Sequence, residues 1–301
     1  MGTARFGSPL SSSLYPGFDR KRSWSLLDGA VDIGCTAFDT AASYQAGGTE
    51  RFIGSWISSR RNRDRLFIIS KGGHPHPFSW NHRLTPREIS ADLNGSLRRL
   101  GTERLDLYLL HRDDERAPLE PIVETMTTLQ QQGKIRAWGV SNFTHVRVRS
   151  IIGLAQKVGA TSPAASSPHF SLLEWVTPPW RGCVSIAGEG HREAREYYER
   201  EQMPVLAWSP LGSGFFSLSG RPSKTYASPA NVGRRRRAEE LAKKYNRTSA
   251  QIALAYLYNQ PFPVFAVVAA SSVERMQLNL EATTLRLTPR ETRWLELGEG
   301  S

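Results

Sequence analysis

Cysteine is scarce in this 301-residue chain, which holds only Cys35 and Cys183. Two such residues make no disulfide framework and no zinc-type spacing, so a reducing, cytoplasmic compartment is the expectation. Long apolar runs are missing as well. The longest, Val264 to Ala270, has the length of a strand and falls far short of the ~20 residues of a membrane helix. The chain does not open with a charged segment followed by an apolar one, so a secretory signal is not expected. There is no G-x-G-x-x-G fingerprint and no Walker loop, which argues against the Rossmann and P-loop phosphate cradles. His74 and His76 have no carboxylate or cysteine beside them, so no metal site is expected.

Basic charge is in excess. The net charge is +11 and the isoelectric point near 10.0. Such a surface attracts polyanions. The basic residues are nevertheless spread along the chain, densest at Arg234 to Arg237, with no helix-turn-helix, RNP or zinc-finger pattern around them. The reading is no nucleic-acid partner; a solvated basic face or attraction of a phosphorylated cofactor accounts for the charge. Hydrophobic residues at 39% and charged residues at 22% are those of a globular protein.

Strand and helix signals alternate at the spacing of βα units. Helices are expected at 23–32, 50–60, 86–100, 119–132, 146–158, 192–202, 235–245 and 249–259, with one opening near Ser272. Strands are expected ending at Asp39, over 66–71, 105–111, 135–141, 164–167, 205–208 and 264–269. Thr85-Pro-Arg-Glu88 has the pattern of a capped helix start. No linker interrupts the alternation, so residues 1–301 read as a single domain. Seven strands follow Gly34, and the sole candidate for an eighth is the stub Met1 to Gly7; the expectation is an α/β barrel whose first strand is truncated at the N-terminus.

Three of these strands end on chemistry. Asp39 closes the first, with Tyr44 five positions on; Lys71 closes the second; His111 closes the third. A parallel barrel gathers the C-terminal ends of its strands into one pocket. A phenol titrating near ~10 is a poor acid at neutral pH unless a cation lowers its pKa, and a cation is held in place by an anion. Tyr44, Lys71 and Asp39 suit those roles.

At these residues the chain resembles the aldo-keto reductases over nearly its whole length. Gly34 to Tyr44 looks like the family's G-x-x-x-F-D-T-A-x-x-Y segment, and Gly48 to Gly54 is similar to the helix start that follows it. Leu105 to His111 resembles the D-L-Y-L-L-H strand, and Gly133 to Phe143 the G-K-I-R-x-x-G-V-S-N-F segment. The resemblance implies a (β/α)8 barrel that binds NADPH, with NADH the lesser choice, and an oxidoreductase that interconverts carbonyls and alcohols. It implies a tetrad of Asp39, Tyr44, Lys71 and His111, with Tyr44 as proton donor and its pKa lowered by Lys71, and His111 orienting the carbonyl.

For the cofactor the resemblance implies Gly2, Thr3 and Asp39 at the end of the first strands and Ser141 and Asn142 for the carboxamide. Trp208 would stack on the nicotinamide. Ser209, Leu211 and Gly214 would take the pyrophosphate, and Ser271, Ser272, Arg275 and Asn279 the adenosine phosphate. Arg275 suits a 2′-phosphate, hence NADPH. Departures fall at Ser167, where the family has Gln, at Ala269 in place of Gly, and at Leu278 in place of an acid. A small carbonyl substrate would meet His111 and Trp80, with Trp175 and Trp180 adding an aromatic wall. The alternative reading is a cofactor-binding regulatory subunit of a membrane channel, since channel-associated β subunits share this fold.

Overall fold

The computed structural model describes residues 1–7, 19–76, 83–216 and 224–298. The chain divides into two compact units, Met1–Ala165 with Ser271–Val273, and Ser166–Ala270 with Glu274–Ser301. Among the described residues no helix is long and apolar enough to cross a membrane.

The first unit alternates α1 (Arg20–Asp32), β1 (Ala37–Asp39), α2 (Gly48–Arg60), β2 (Phe67–Gly72), α3 (Pro86–Leu100), β3 (Leu105–Leu110), α4 (Leu119–Gln131), β4 (Ile135–Ser141) and α5 (His145–Lys157). Strands β1 to β4 pair in sequence order and all run parallel. Parallel neighbours need a long crossover, and each helix supplies one. The helix starts are written in the sequence. Thr85 accepts from the Glu88 backbone N–H while Glu88 reaches back, with Pro86 at the first turn, and Thr144 caps α5. Strand β3 is buried along its whole length, which explains its largely apolar character, broken by Asp106.

Two acids inside this apolar frame are fasteners. Glu50, fully buried on α2, accepts 2.6 Å hydrogen bonds from Ser70 Oγ of β2 and Arg99 Nε of α3. Asp106 of β3 accepts from the Ile68 N–H at 2.8 Å and faces Arg63 at 2.9 Å. Each ties neighbouring elements through a paired, hydrogen-bonded charge, the condition under which a buried charge is tolerated. The stub at residues 1–7 takes a ladder place beside β1. Gly2 bridges Asp39 in parallel, the Asp39 N–H donates to the Met1 carbonyl at 2.8 Å, and the Thr3 N–H donates to the Asp39 carbonyl at 2.9 Å.

The second unit contains β5 (Ser166–Ser167), α6 (Arg192–Glu201), β6 (Val205–Trp208), α7 (Pro229–Tyr245), α8 (Ser249–Tyr258), β7 (Val264–Val267), α9 (Val273–Glu281) and α10 (Pro289–Leu297). β5, β6 and β7 pair in order and in parallel. Phe262 lies 6.0 Å from Phe170 and 5.9 Å from Tyr198 at the centre of its core. Helix α10 was not expected from the sequence, and several boundaries differ from expectation. α1 starts at Arg20 because Asp19 caps it, α7 starts at Pro229 because Ser228 caps it, and β5 is only two residues long.

The early start of α7 gives the Arg234–Arg237 run a structural role. Arg235 and Arg236 pair along the helix with Glu239 and Glu240. Arg234 Nε donates to the Glu296 carbonyl at 3.1 Å and Arg237 Nε to the Leu295 carbonyl at 3.0 Å. Those carbonyls belong to the last turn of α10, where orphan acceptors and the negative end of the helix dipole favour cations.

Gly72 closes β2 directly after Lys71, and a Cβ there would collide with the Tyr108 hydroxyl. That hydroxyl is buried and makes no hydrogen bond among the described residues. Gly72→Ala is therefore expected to destabilise the protein by about 1–3 kcal/mol through overpacking, read as a lower urea midpoint. Adding Tyr108→Phe should restore part of the loss, because it deletes the nearest colliding atom without breaking a bond while the Cβ of Asp92 still crowds the new methyl.

Candidate active site

Strand register alone places the site. In parallel pairs, directly opposed residues share a face, as do residues two apart on one strand. Asp39 opposes Ile69, so it shares a face with Lys71; Lys71 opposes Leu109, so it shares that face with His111, one residue past β3. Leu109 in turn opposes Gly139, two before Ser141. One parity thus runs through Asp39, Lys71, His111 and Ser141, all near C-terminal strand ends. The His111 N–H donates to the Gly72 carbonyl at 2.7 Å, which holds the histidine level with the end of β2.

Lys71 and Asp39 form a buried ion pair, with side chains 5% and 7% exposed and a shortest contact of 2.6 Å. An ammonium has three protons. Here Nζ donates to Asp39 at 2.7 Å, to the Thr40 carbonyl at 3.0 Å and to the Tyr44 hydroxyl at 3.1 Å. All three are placed, and one of them occupies a lone pair of the phenol oxygen. Tyr44 is thereby left with its own O–H to give away.

Tyr44 reaches this position through the loop after β1. The Ala42 N–H donates to the Lys71 carbonyl at 2.9 Å, tying the loop to the end of β2. The chain then turns through Tyr44–Gly47, where Gln45 and Ala46 both take a positive φ of 51°. Such conformations are costly for residues other than glycine and gather where a side chain must be aimed.

Desolvation raises the Tyr44 pKa above that of a free phenol, although its ring is only half-buried; Lys71 pulls in the opposite direction. The expectation from sequence was a net lowering. The sign of the Lys71 influence stands, but burial outweighs it. Lys71 is held above its ordinary value: burial opposes the charge, and Asp39 and Tyr44 together overcome that opposition. His111 is driven well below the usual imidazole range by burial first and then by Lys71, Arg112 and His74, so it is neutral at physiological pH. Its ring meets Tyr44 edge-on at 5.8 Å and His74 at 4.9 Å, and Nδ1 lies 3.3 Å from Ser43 Oγ.

The residues expected to bind a cofactor are described in each unit separately. In the first unit, Asn142 sits at φ 59°, with Nδ2 donating to Ser141 Oγ at 2.9 Å and to the His111 carbonyl at 3.3 Å. Thr3 is buried and its hydroxyl donates to the Asp39 carbonyl at 2.8 Å. Ser271 and Ser272 directly precede α9.

In the second unit, Trp208 ends β6, half-buried, and packs edge-on against His169 at 5.1 Å. His169 is fully buried; burial holds its pKa down at about 3. Its Nδ1 lies 2.8 Å from Ser185 Oγ and its Nε2 3.1 Å from the Tyr226 hydroxyl. After Trp208, Ser209, Gly212, Ser213 and Gly214 take positive φ values, and the Gly212 and Gly214 N–H groups donate to the Ser209 and Leu211 carbonyls at 3.0 and 3.2 Å. Arg275 is exposed on the first turn of α9, and Asn279 is buried further along it. At the departures, Ser167 Oγ donates to the Leu206 carbonyl at 2.8 Å and Leu278 is exposed. Trp80 lies outside the described residues.

Sequence reading missed Ser43, which falls on an unspecified position of the F-D-T-A-x-x-Y segment, and the His169 support of Trp208. Neither had a local signal. The arginine following His111 in the sequence was a visible clue to Arg112, whose charge reaches both Tyr44 and His111.

The sequence matches the Aldo/keto reductase family over residues 1–296. Methylglyoxal reductase YeaE of Escherichia coli is 30% identical over 92% of this chain and 84% of its own length. A putative voltage-gated potassium channel subunit beta of Schizosaccharomyces pombe is 26% identical over 91% and 83%. Among solved structures, a thermostable aldo-keto reductase crystallised with the inhibitor epalrestat superimposes with a TM-score of 0.74 at 27% identity, covering 98% of this chain and 93% of that one. An aldo-keto reductase from Klebsiella pneumoniae in complex with NADPH gives 0.73 at 26%, covering 98% and 88%. The fold class is accordingly the α/β barrel of the (β/α)8 type that the sequence pointed to.

The raised pKa values of Tyr44 and Lys71, together with those of the buried phenols Tyr108, Tyr198, Tyr226 and Tyr256, set an alkaline limit on stability. A folded pKa above the unfolded one contributes stability that is complete below the unfolded value and lost as pH rises through the folded one. The urea midpoint is therefore expected to fall as pH rises above about 10. Tyr44→Phe, which removes one of these groups, should make that fall shallower by one group's share.

Proposed function

Since this chain belongs to the aldo/keto reductase family, matched over residues 1–296, we propose that it reduces an aldehyde or ketone to an alcohol with NADPH, taking the proton from Tyr44. Family membership makes it an NAD(P)H-dependent oxidoreductase acting on carbonyl groups; the proton donor, the cofactor choice and the residue roles are the proposal. The observation that carries it is the Lys71 Nζ–Tyr44 hydroxyl contact of 3.1 Å beside the buried Asp39.

The phenol oxygen accepts from Lys71, so its own proton is the one available to a substrate oxygen. As that proton leaves, Lys71 balances the tyrosinate, and Asp39 keeps Lys71 charged and in place. Neutral His111 adds a second donor to the same oxygen, which orients the carbonyl without placing a further cation against Lys71. When bound, NADPH supplies the hydride. In the first unit, Gly2, Thr3, Asp39, Ser141, Asn142, Ser271 and Ser272 are the residues proposed to hold it. In the second unit they are Trp208, Ser209, Leu211, Gly214, Arg275 and Asn279. The small residues of the glycine- and serine-rich turn after Trp208 allow a pyrophosphate to approach the backbone closely, and Arg275 beside the N-terminus of α9 suits a 2′-phosphate. The Klebsiella relative solved with NADPH supports that choice. His111 and Trp80 are the proposed substrate contacts.

The channel-subunit relative favours a second reading, a cofactor-bound protein with little turnover. The two separate in one assay, NADPH oxidation over a panel of aldehydes, quinones and keto esters. Reductase function predicts turnover that falls by about 10²–10⁴-fold in Tyr44→Phe while NADPH binding persists. Tight NADPH binding with no turnover of any panel member would count for the regulatory reading. For the cofactor, Arg275→Ala should weaken NADPH far more than NADH in a binding titration; equal losses would remove Arg275 from the phosphate site.

A further inference from the structure

His111 is neutral, so its ring carries one proton, and it can donate to a carbonyl only from the nitrogen that has it. No hydrogen bond reaches Nε2 among the described residues, whereas Nδ1 lies 3.3 Å from Ser43 Oγ. Ser43 stands at the N-cap of the Tyr44–Gly47 turn, the place where a serine usually caps, yet its side chain makes no capping bond. A hydroxyl can donate or accept, and rotates to suit its partner. Two ring contacts hold the imidazole in plane: Tyr44 edge-on at 5.8 Å and His74 at 4.9 Å. His74 has its own Nδ1 2.9 Å from the Pro75 carbonyl, an acceptor only, so its proton is spent there and none is offered to His111 from that nitrogen.

We propose that Ser43 is a positioning residue, whose hydroxyl donates to His111 Nδ1 and so keeps the Nε2–H tautomer, the form able to donate to a substrate oxygen. The opposite arrangement, Nδ1–H donating to Ser43, leaves Nε2 as a bare acceptor that repels a carbonyl. The aldo-keto reductase segment leaves this position unspecified. Ser43 also directly precedes Tyr44, so one short turn sets both the proton donor and the tautomer of the group that orients the carbonyl.

The inference rests on the reductase reading for its purpose, but its test does not. Nitrogen-15 spectra of histidine-labelled protein distinguish protonated from unprotonated ring nitrogens without cofactor or substrate, and His111→Asn assigns the signals. The expected result is an unprotonated Nδ1 and a protonated Nε2 in the wild type, with the two tautomers mixing in Ser43→Ala. Turnover in Ser43→Ala should fall by about fivefold, the weight of one ordinary hydrogen bond, with NADPH affinity unchanged, and Ser43→Thr should restore both spectrum and rate. Ser43 is exposed, so an unaltered melting temperature serves as the control for folding. A protonated Nδ1 in the wild type overturns the proposal, as does a Ser43→Ala protein that keeps the wild-type tautomer. A correct tautomer in a protein that turns over no carbonyl would sink the reductase reading and leave Ser43 standing.

Discussion

Everything at the candidate site hangs on the ion pair between Lys71 and Asp39. Two charges with side chains 5% and 7% exposed are expensive to remove from water, and either one alone would be strongly destabilising. The pair survives because every proton of the ammonium has an acceptor. The third acceptor is the Tyr44 oxygen, so the group that completes the electrostatics of the lysine is also the proposed acid. Chemistry and stability share the same three atoms, and substitutions that weaken one will disturb the other.

The surrounding frame brings those atoms together through register rather than through any local motif. β1, β2 and β3 are offset so that a shared parity carries Asp39, Lys71 and His111 onto one face. Gly72 permits the close approach of Tyr108, and the His111 N–H is anchored on the Gly72 carbonyl. Glu50 and Asp106 look catalytic by composition and are structural by position, each saturated by partners that bind α2, α3, β2 and β3 together.

Much of this was legible in the sequence. Strands whose C-terminal ends carry Asp39, Lys71 and His111 were visible to within a residue because apolar runs stop at polar residues, and the Thr85 cap because capping chemistry is local. The start of α7 was not, since Gly233 and Asn231 mask the helical pattern while Ser228 and Pro229 set it. The direction of the Tyr44 pKa was misjudged for a physical reason. A charge partner can be guessed from spacing, but desolvation depends on what packs around the hydroxyl. Ser43 was invisible for the same reason, as its partner lies 68 positions away.

The four consecutive arginines of α7 make the chain look more polyanion-seeking than its surface is. Arg237 spends its guanidinium protons on the carbonyls that end α10, Arg234 divides its own among the Glu296 carbonyl, Asn231 and Glu174, and Arg235 and Arg236 are matched by glutamates one turn on. A cation-exchange or heparin column samples unmatched surface charge. Retention on such a resin should therefore be governed by the scattered remainder of the +11, and the densest basic stretch of the primary structure works as a latch for the last helix of the chain.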